Sequence, residues 1–167
     1  MNKTIYVGID PAFRTNGFAI CIIDEEDTVS FKNFRNGFRE FVRWVMDDAP
    51  KNAKYCVENS NLQNSTFDMR GSKGVVAKIS RSVGKNQAIS QLVVDLLEEY
   101  FGERNVYNIS PKDKGKKITD LAIFDAYVEA NGHEGKLYGY KRLKKQQDER
   151  DAYKLAIIAR QKHKKSF

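Results

Sequence analysis

Residues 5–11, with the sequence IYVGIDP, decide the fold of this chain. Apolar or small side chains occupy both faces of this run until Asp10, which carries its first charge. A strand that is apolar on both faces is typical of the centre of a sheet covered on both sides. The stretch therefore predicts a central β-strand that ends in one acidic side chain.

The same patterns, followed outward along the chain, predict five strands and four helices. The strands are expected at residues 4–10, 17–24, 28–33, 54–58 and 106–109, and the helices at 38–45, 85–100, 118–130 and 148–162. Residues 59–84 lack clear periodicity and are interpreted as a long loop with a short helical piece, and residues 131–145 as an irregular basic segment. This order indicates an α/β fold in which an antiparallel meander and parallel strands form a five-stranded mixed sheet flanked by helices. Because no linker or repeat interrupts it, residues 1–167 are predicted to form a single domain.

Composition excludes several classes of protein. The 167 residues contain 29 Lys and Arg against 22 Asp and Glu, a formal net charge of +7 that favours a polyanionic partner. Only Cys21 and Cys56 are present, each in an apolar run, so we expect buried free thiols in a reducing compartment and no disulfide framework or zinc ribbon. No apolar run approaches the roughly 20 residues of a membrane span. The composition therefore predicts a soluble cytoplasmic protein with no membrane partner.

Four carboxylates are the best candidates for chemistry. Asp10 and Glu58 each end an apolar strand, and they would meet at one edge of the sheet if those strands are parallel neighbours. Asp148 and Asp151 are three residues apart and share one face of the last helix. Carboxylates are the ligands that Mg²⁺ prefers, and two such ions can activate water and stabilise a leaving oxygen in phosphodiester cleavage. Taken singly, these acids could instead be a turn residue, an edge charge and ordinary first-turn acids.

The basic residues are clustered, and 18 of the 29 lie in four short windows: 70–85, 112–117, 136–145 and 160–165. Such runs are often only solvated surface, but four nearly acid-free ones favour a phosphate-binding surface. The residues predicted to contact nucleic acid in the first two windows are Arg70, Lys73, Lys78, Arg81, Lys85, Lys112, Lys114, Lys116 and Lys117. Both histidines, His133 and His163, have polar surroundings in the sequence and are interpreted as solvated.

The sequence resembles the RuvC Holliday junction resolvases, a branch of the RNase H-like nuclease superfamily. The matching motifs are VGIDP at 7–11 followed by Gly17, VE at 57–58, GKNQA at 84–88 and DERDAYKLA at 148–156. They occur in order over nearly the whole chain. Ala12 replaces the Gly that usually follows Asp-Pro in the family, residues 59–84 carry little of its pattern, and residues 131–145 are unusually basic.

This resemblance implies an RNase H-like fold and a Mg²⁺-dependent endonuclease that resolves four-way DNA junctions as a homodimer. We expect a divergent, phage-encoded member. By position, Asp10 would bridge two metal ions, with Mn²⁺ able to replace Mg²⁺. Glu58 and Asp151 would each bind one ion, and Asp148 would complete the site directly or through water. The loop after Glu58 would enter the junction, and the lysines of residues 112–117 would grip the DNA backbone.

Several alternatives remain open at this stage. The enzyme could be a broader flap and branch nuclease or an RNase H-like nuclease acting on RNA. The alternative hypothesis without catalysis is an inactive junction-binding protein. A second apolar stripe formed by Val83, Val94 and Phe101 is either a dimer interface or part of the monomer's own core. Phe67 in the loop either anchors that loop to the core or inserts at the crossover and unstacks a base pair.

Overall fold

The computed structural model describes residues 3–12, 18–62 and 73–167, with side chains left aside for residue 61 and residues 73–83. In this part of the chain the strands are β1 (Ile5–Asp10), β2 (Ala19–Ile23), β3 (Val29–Asn33), β4 (Ala53–Glu58), β5 (Val106–Ile109) and β6 (Leu137–Tyr138). The helices are α1 (Phe38–Asp47), α2 (Lys73–Phe101), α3 (Pro111–Lys114), α4 (Leu121–Ala130) and α5 (Gln147–Lys165). Short 3₁₀ turns lie at Ser60–Leu62 and Glu103–Asn105.

The strands form one mixed sheet in the order β5-β4-β1-β2-β3-β6. β1, β2 and β3 are the predicted antiparallel meander, and β4 and β5 continue from β1 as parallel strands. The α/β class and the mixed sheet are therefore confirmed, but the sheet has six strands rather than five. The extra strand, β6, is a two-residue piece of the segment interpreted as irregular, and it pairs parallel to β3.

The two faces of the sheet are covered by different helices. Val7 and Ile9 of β1 point into a core formed with α1 and α2, where Phe41 and Leu97 are fully buried. The opposite face of β2 packs with α4 and α5. This double coverage explains why residues 5–9 of β1 carry no polar face.

Gly8 allows α5 to lie directly on β1. A Cβ atom at this position would be 2.0 Å from the Ala152 carbonyl oxygen and 2.4 Å from the Ala156 backbone nitrogen, so a side chain cannot fit there. Cys21 and Cys56 flank Gly8 on the neighbouring strands, and both thiols are buried. Burial raises the pKa of the Cys21 thiol well above its ordinary value and that of Cys56 to about 12. The expected buried free thiols are confirmed.

Helix α2 differs from the sequence-based prediction. It begins at Lys73 rather than at residue 85, so residues 73–84, which were assigned to the loop, are helical. Val94 is buried in the core, and the ring of Phe101 stacks on Tyr55 at a centroid distance of 4.9 Å. The alternative of burial in the monomer's own core is therefore confirmed for Val94, and Phe101 packs against that core while partly exposed. The side chain of Val83 is outside the described part of the structure, and the dimer interface stays a prediction.

The interpretation of His133 as a solvated residue is also wrong. Its ring is fully buried, with Nδ1 2.7 Å from the Tyr153 hydroxyl and Nε2 2.8 Å from Asp27 Oδ1. His163 is half-buried, and its Nδ1 lies 2.9 Å from the Tyr6 hydroxyl. In both cases the partners are distant in sequence, so local composition gave no sign of them. Among the described residues, no helix combines the length and apolar character needed to cross a membrane.

Candidate metal centre

Asp10 and Glu58 meet at one edge of the sheet. β1 and β4 are parallel neighbours with Ile9 opposite Val57, so the next residue of each strand lies at the same end. This arrangement confirms the expectation that the two strands would bring their terminal carboxylates to one place. Parallel strands emerging from a buried sheet thus supply the first two acids of the site.

The other two acids come from the first turn of α5. Because α5 crosses β1 at Gly8, its N-terminal turn reaches the carboxyl end of that strand. One carboxylate oxygen from each of Asp10, Asp148 and Asp151 lies within 4.8 Å of the other two. Ligand oxygens around an octahedral Mg²⁺ are roughly 3 to 4 Å apart, since each bond is about 2.1 Å long. Hard oxygen donors at this spacing fit a divalent cation after small side-chain rotations.

Glu58 lies beside this triad but is held by Lys114. The Lys114 ammonium is 2.6 Å from Glu58 Oε2 and 3.6 Å from Asp151 Oδ2, and its side chain is only 3% exposed. Ser110 caps α3 by accepting a hydrogen bond from the Asp113 backbone N–H, and Lys114 lies one turn after this cap. Ile109, the residue before Ser110, is paired with Glu58. Lys114, predicted to contact nucleic acid, is thus drawn into the site by Glu58 and Asp151, and its contact with DNA stays a prediction.

The crowded acids affect one another's ionisation. Burial and then the Glu58 charge raise the pKa of Asp10 well above its ordinary value, and Lys114 only partly opposes them. Burial and the neighbouring Asp151 raise the pKa of Asp148. Burial alone would lower the pKa of Lys114, but the charge of Glu58 and the hydrogen bond to it leave that pKa raised. Without a metal, burial and the neighbouring charges thus oppose ionisation of Asp10 and Asp148, while the acids favour the charged form of Lys114.

Residues that the sequence analysis did not single out orient the acids. Gln147 Nε2 donates to Asp151 Oδ1 at 2.9 Å, which leaves Oδ2 on the side of Lys114. The Gln147 oxygen in turn accepts from Arg150 Nη2 at 3.0 Å. Asn33, at the end of β3, donates to the carboxylate of Glu149, which is 7% exposed. The only sequence signal for Gln147, Glu149 and Arg150 was their position within or beside the DERD motif at the start of a helix, and Asn33 carried no such signal.

The remaining residues predicted to contact nucleic acid are spread over several places. Lys112, Lys116 and Lys117 are exposed, and the Lys117 ammonium is 4.0 Å from Asp151 Oδ2. Lys85 is exposed on α2. Lys73, Lys78 and Arg81 also lie on α2, but their side chains are outside the described part of the structure, and Phe67 and Arg70 lie outside it altogether. The DNA-binding role of these residues stays a prediction.

No protein-family model and no curated protein matches this chain. The resemblance to the RuvC resolvases therefore depends on the sequence motifs, and the function has to be argued from the site.

Proposed function

We propose that the chain is a metal-dependent endonuclease of the RuvC type that resolves four-way DNA junctions by paired cuts. The observation that carries this proposal is the convergence of Asp10, Asp148 and Asp151 at the end of the central strand, in a chain of net charge +7. Bringing three carboxylates together is costly unless a cation compensates them. A polyanionic substrate would reach such acids only with that cation and with basic surroundings.

Asp10, Asp148 and Asp151 would hold Mg²⁺, which supplies an activated water and charge stabilisation when bound. Asp10 has to lose its proton for this role, and its raised pKa means that metal loading competes with protonation. Gln147 keeps Asp151 turned so that one oxygen faces the centre. Glu58 is the predicted ligand for a second ion, and Lys114 competes with that ion for its Oε2.

Branched DNA and a homodimer belong to the same proposal. A four-way junction has two-fold symmetry, and two symmetric nicks require two active sites related by a two-fold axis, as in an isologous dimer. The exposed Lys117 lies 4.0 Å from Asp151, and it supports binding of phosphates there together with the exposed Lys112 and Lys116 of the same window. Light scattering should give the mass of two copies for the chain alone, and of two copies plus one junction for the complex.

The test is cleavage of a labelled synthetic four-way junction with Mg²⁺, beside matched flap, fork and RNA–DNA hybrid substrates. Asp10→Asn, Glu58→Gln and Asp151→Asn should abolish cleavage while junction binding survives, and Asp148→Asn should be milder if it acts through water. Asp47→Asn, which alters an exposed acid at the end of α1, is the matched control and should cleave normally. Wild-type rates in any of the first three variants would refute the site. Preference for the hybrid would favour the RNA-directed alternative, and binding without cleavage would favour an inactive junction-binding protein.

A further inference from the structure

Arg150 is a fully buried guanidinium, 1% exposed, and within the described residues it has no carboxylate partner in an ion pair. It is instead satisfied by hydrogen bonds from all three nitrogens. Nε donates to the Ile118 carbonyl at 3.0 Å, Nη1 to the Leu143 carbonyl at 2.8 Å and Nη2 to the Lys144 carbonyl at 2.8 Å. A buried charge is expensive and persists only when its donors are paired. The acceptors for the Arg150 guanidinium are mainly backbone carbonyls.

Those carbonyls belong largely to one short stretch, residues 141–145, which we call the basic strap. Its sequence is KRLKK, and all five residues are exposed at their side chains. Arg150 therefore fastens the backbone of the strap to α5 and leaves its cations in solvent. Since the strap contains no helix or strand, this anchor and a few turn hydrogen bonds define its position.

The strap presents positive charge that the fold does not neutralise. Arg142 pairs with Asp125 at 2.7 Å. Lys141, Lys144 and Lys145 form no ion pair with any carboxylate in the ranges 3–12, 18–62 and 73–167. Three unpaired lysines in five residues repel one another, and a bound polyanion would remove that repulsion.

The strap also lies next to the metal centre. A chain of contacts runs from the Lys144 carbonyl to Arg150, from Arg150 to Gln147, and from Gln147 to Asp151. Between the strap and the start of α4 is a cleft of about 590 Å³ whose polar lining includes Thr119, Asp120, Arg142, Lys144, Gln147 and Arg150. A nucleic-acid backbone entering the acidic site can therefore pass the exposed lysines of the strap.

We propose that the basic strap binds the phosphate backbone of the DNA substrate beside the metal centre and that Arg150 is its positioning residue. The inference builds on the proposed nuclease function and assigns a substrate-binding surface to a segment that departs from the family pattern. The strap acts as a rigid contact because its backbone is already ordered before binding, which lowers the entropic cost of engaging phosphates.

The test is the salt dependence of binding to a fluorescein-labelled four-way junction, measured by anisotropy from 50 to 300 mM NaCl in Ca²⁺. The variant Lys141→Ala/Lys144→Ala/Lys145→Ala should flatten the slope of log affinity against log salt by about 2 to 3, at roughly 0.9 per lost phosphate contact. The matched control, Arg39→Ala/Arg43→Ala/Lys51→Ala, removes the same charge from exposed residues on α1 and before β4, outside the four basic windows, and its slope should stay near the wild-type value. An unchanged slope in the strap variant, or equal flattening in the control, overturns the proposal.

Arg150→Lys tests the positioning role because it retains the charge but cannot reproduce the planar set of donors. We expect faster tryptic cleavage within residues 141–145 and a flatter salt slope, whereas unchanged proteolysis and slope would refute that role. The two proposals fail separately. A wild-type chain that cleaves junctions while the strap variant keeps the full salt slope refutes only the strap, and a wild-type chain that neither binds nor cleaves DNA refutes both.

Discussion

Replacing Gly8 by Ala should separate the last helix from the central strand and open the metal centre. The added Cβ would lie 2.0 Å from the Ala152 carbonyl oxygen, whereas an ordinary contact needs at least 3.4 Å, so α5 has to move by about 1.4 Å. The obstructing atoms are backbone and cannot be removed by a change of rotamer. Overpacking of a core costs about 1–3 kcal/mol, and we expect the upper end of that range here.

For a chain of this length, about 3 kcal/mol corresponds to a fall of roughly 6–12 °C in Tm. The same displacement carries Asp148 and Asp151 away from Asp10, because both are on the helix that moves. Misplacement of reacting groups by about 1 Å can lower a rate by about 100-fold. We therefore expect a lower Tm, a smaller stabilisation by Mn²⁺ and slower junction cleavage in the same variant.

Gly84→Ala is the matched control, because a Cβ at Gly84 would meet no atom within 4 Å. This glycine is inside α2, where Ala is preferred to Gly by about 0.5–1 kcal/mol, so the control should be slightly more stable than wild type. Differential scanning fluorimetry with EDTA and with Mn²⁺ compares all three proteins directly. If Gly8→Ala melts within about 1 °C of wild type and keeps its response to Mn²⁺, the close approach of α5 to β1 does not hold the site together.

Three further predictions concern charge and burial. Asp10 has a raised pKa in the folded state and binds its proton more tightly there, so its contribution to the stability of the metal-free protein should be lost as the pH rises above about 4. Asp10→Asn should lessen that loss, measured as Tm in EDTA against pH. Lys114→Met leaves Glu58 without its cation and should destabilise the metal-free protein by about 3–5 kcal/mol in urea, with Mn²⁺ restoring part of the loss; an unchanged midpoint would contradict the buried pair. Tyr153→Phe leaves buried His133 without one partner and should cost about 1–3 kcal/mol, whereas equal stability would mean that water replaces the hydroxyl.

The sheet could be predicted largely from local pattern. The predicted bounds of β5 are the observed ones, and those of the other main strands agree within two residues. Apolar alternation and the turns between strands depend on neighbouring residues, so the sequence pattern suffices to find them. β6 could not be found in this way, since two residues carry no periodicity and the strand exists only by pairing with β3. The early start of α2 was missed because residues 73–84 have weak apolar spacing, and a helix continues from a stable part at little cost.

The acids of the site were predictable because each ends a strand or begins a helix, but their partners were not. Lys114 is one of four lysines within residues 112–117, and nothing local distinguishes the one that turns inward. Its direction depends on the pairing of Glu58 with Ile109, which brings α3 to the end of β4. The burial of the Arg150 guanidinium could not be predicted from the sequence either, because its partners are backbone carbonyl groups, which every residue possesses.

The reactivity of the two thiols beside Gly8 can report when the fold around β1 opens. Cys21 and Cys56 are its only cysteines, and both are buried on the strands that flank β1. With raised pKa values and no exposure, neither thiol can react with a reagent such as dithionitrobenzoate while the fold is closed. The rate of thiol labelling therefore measures how often this layer of the protein opens, with no probe introduced. Because the two native thiols do not react in the closed fold, an exposed cysteine introduced elsewhere would be labelled with a dye at that position alone.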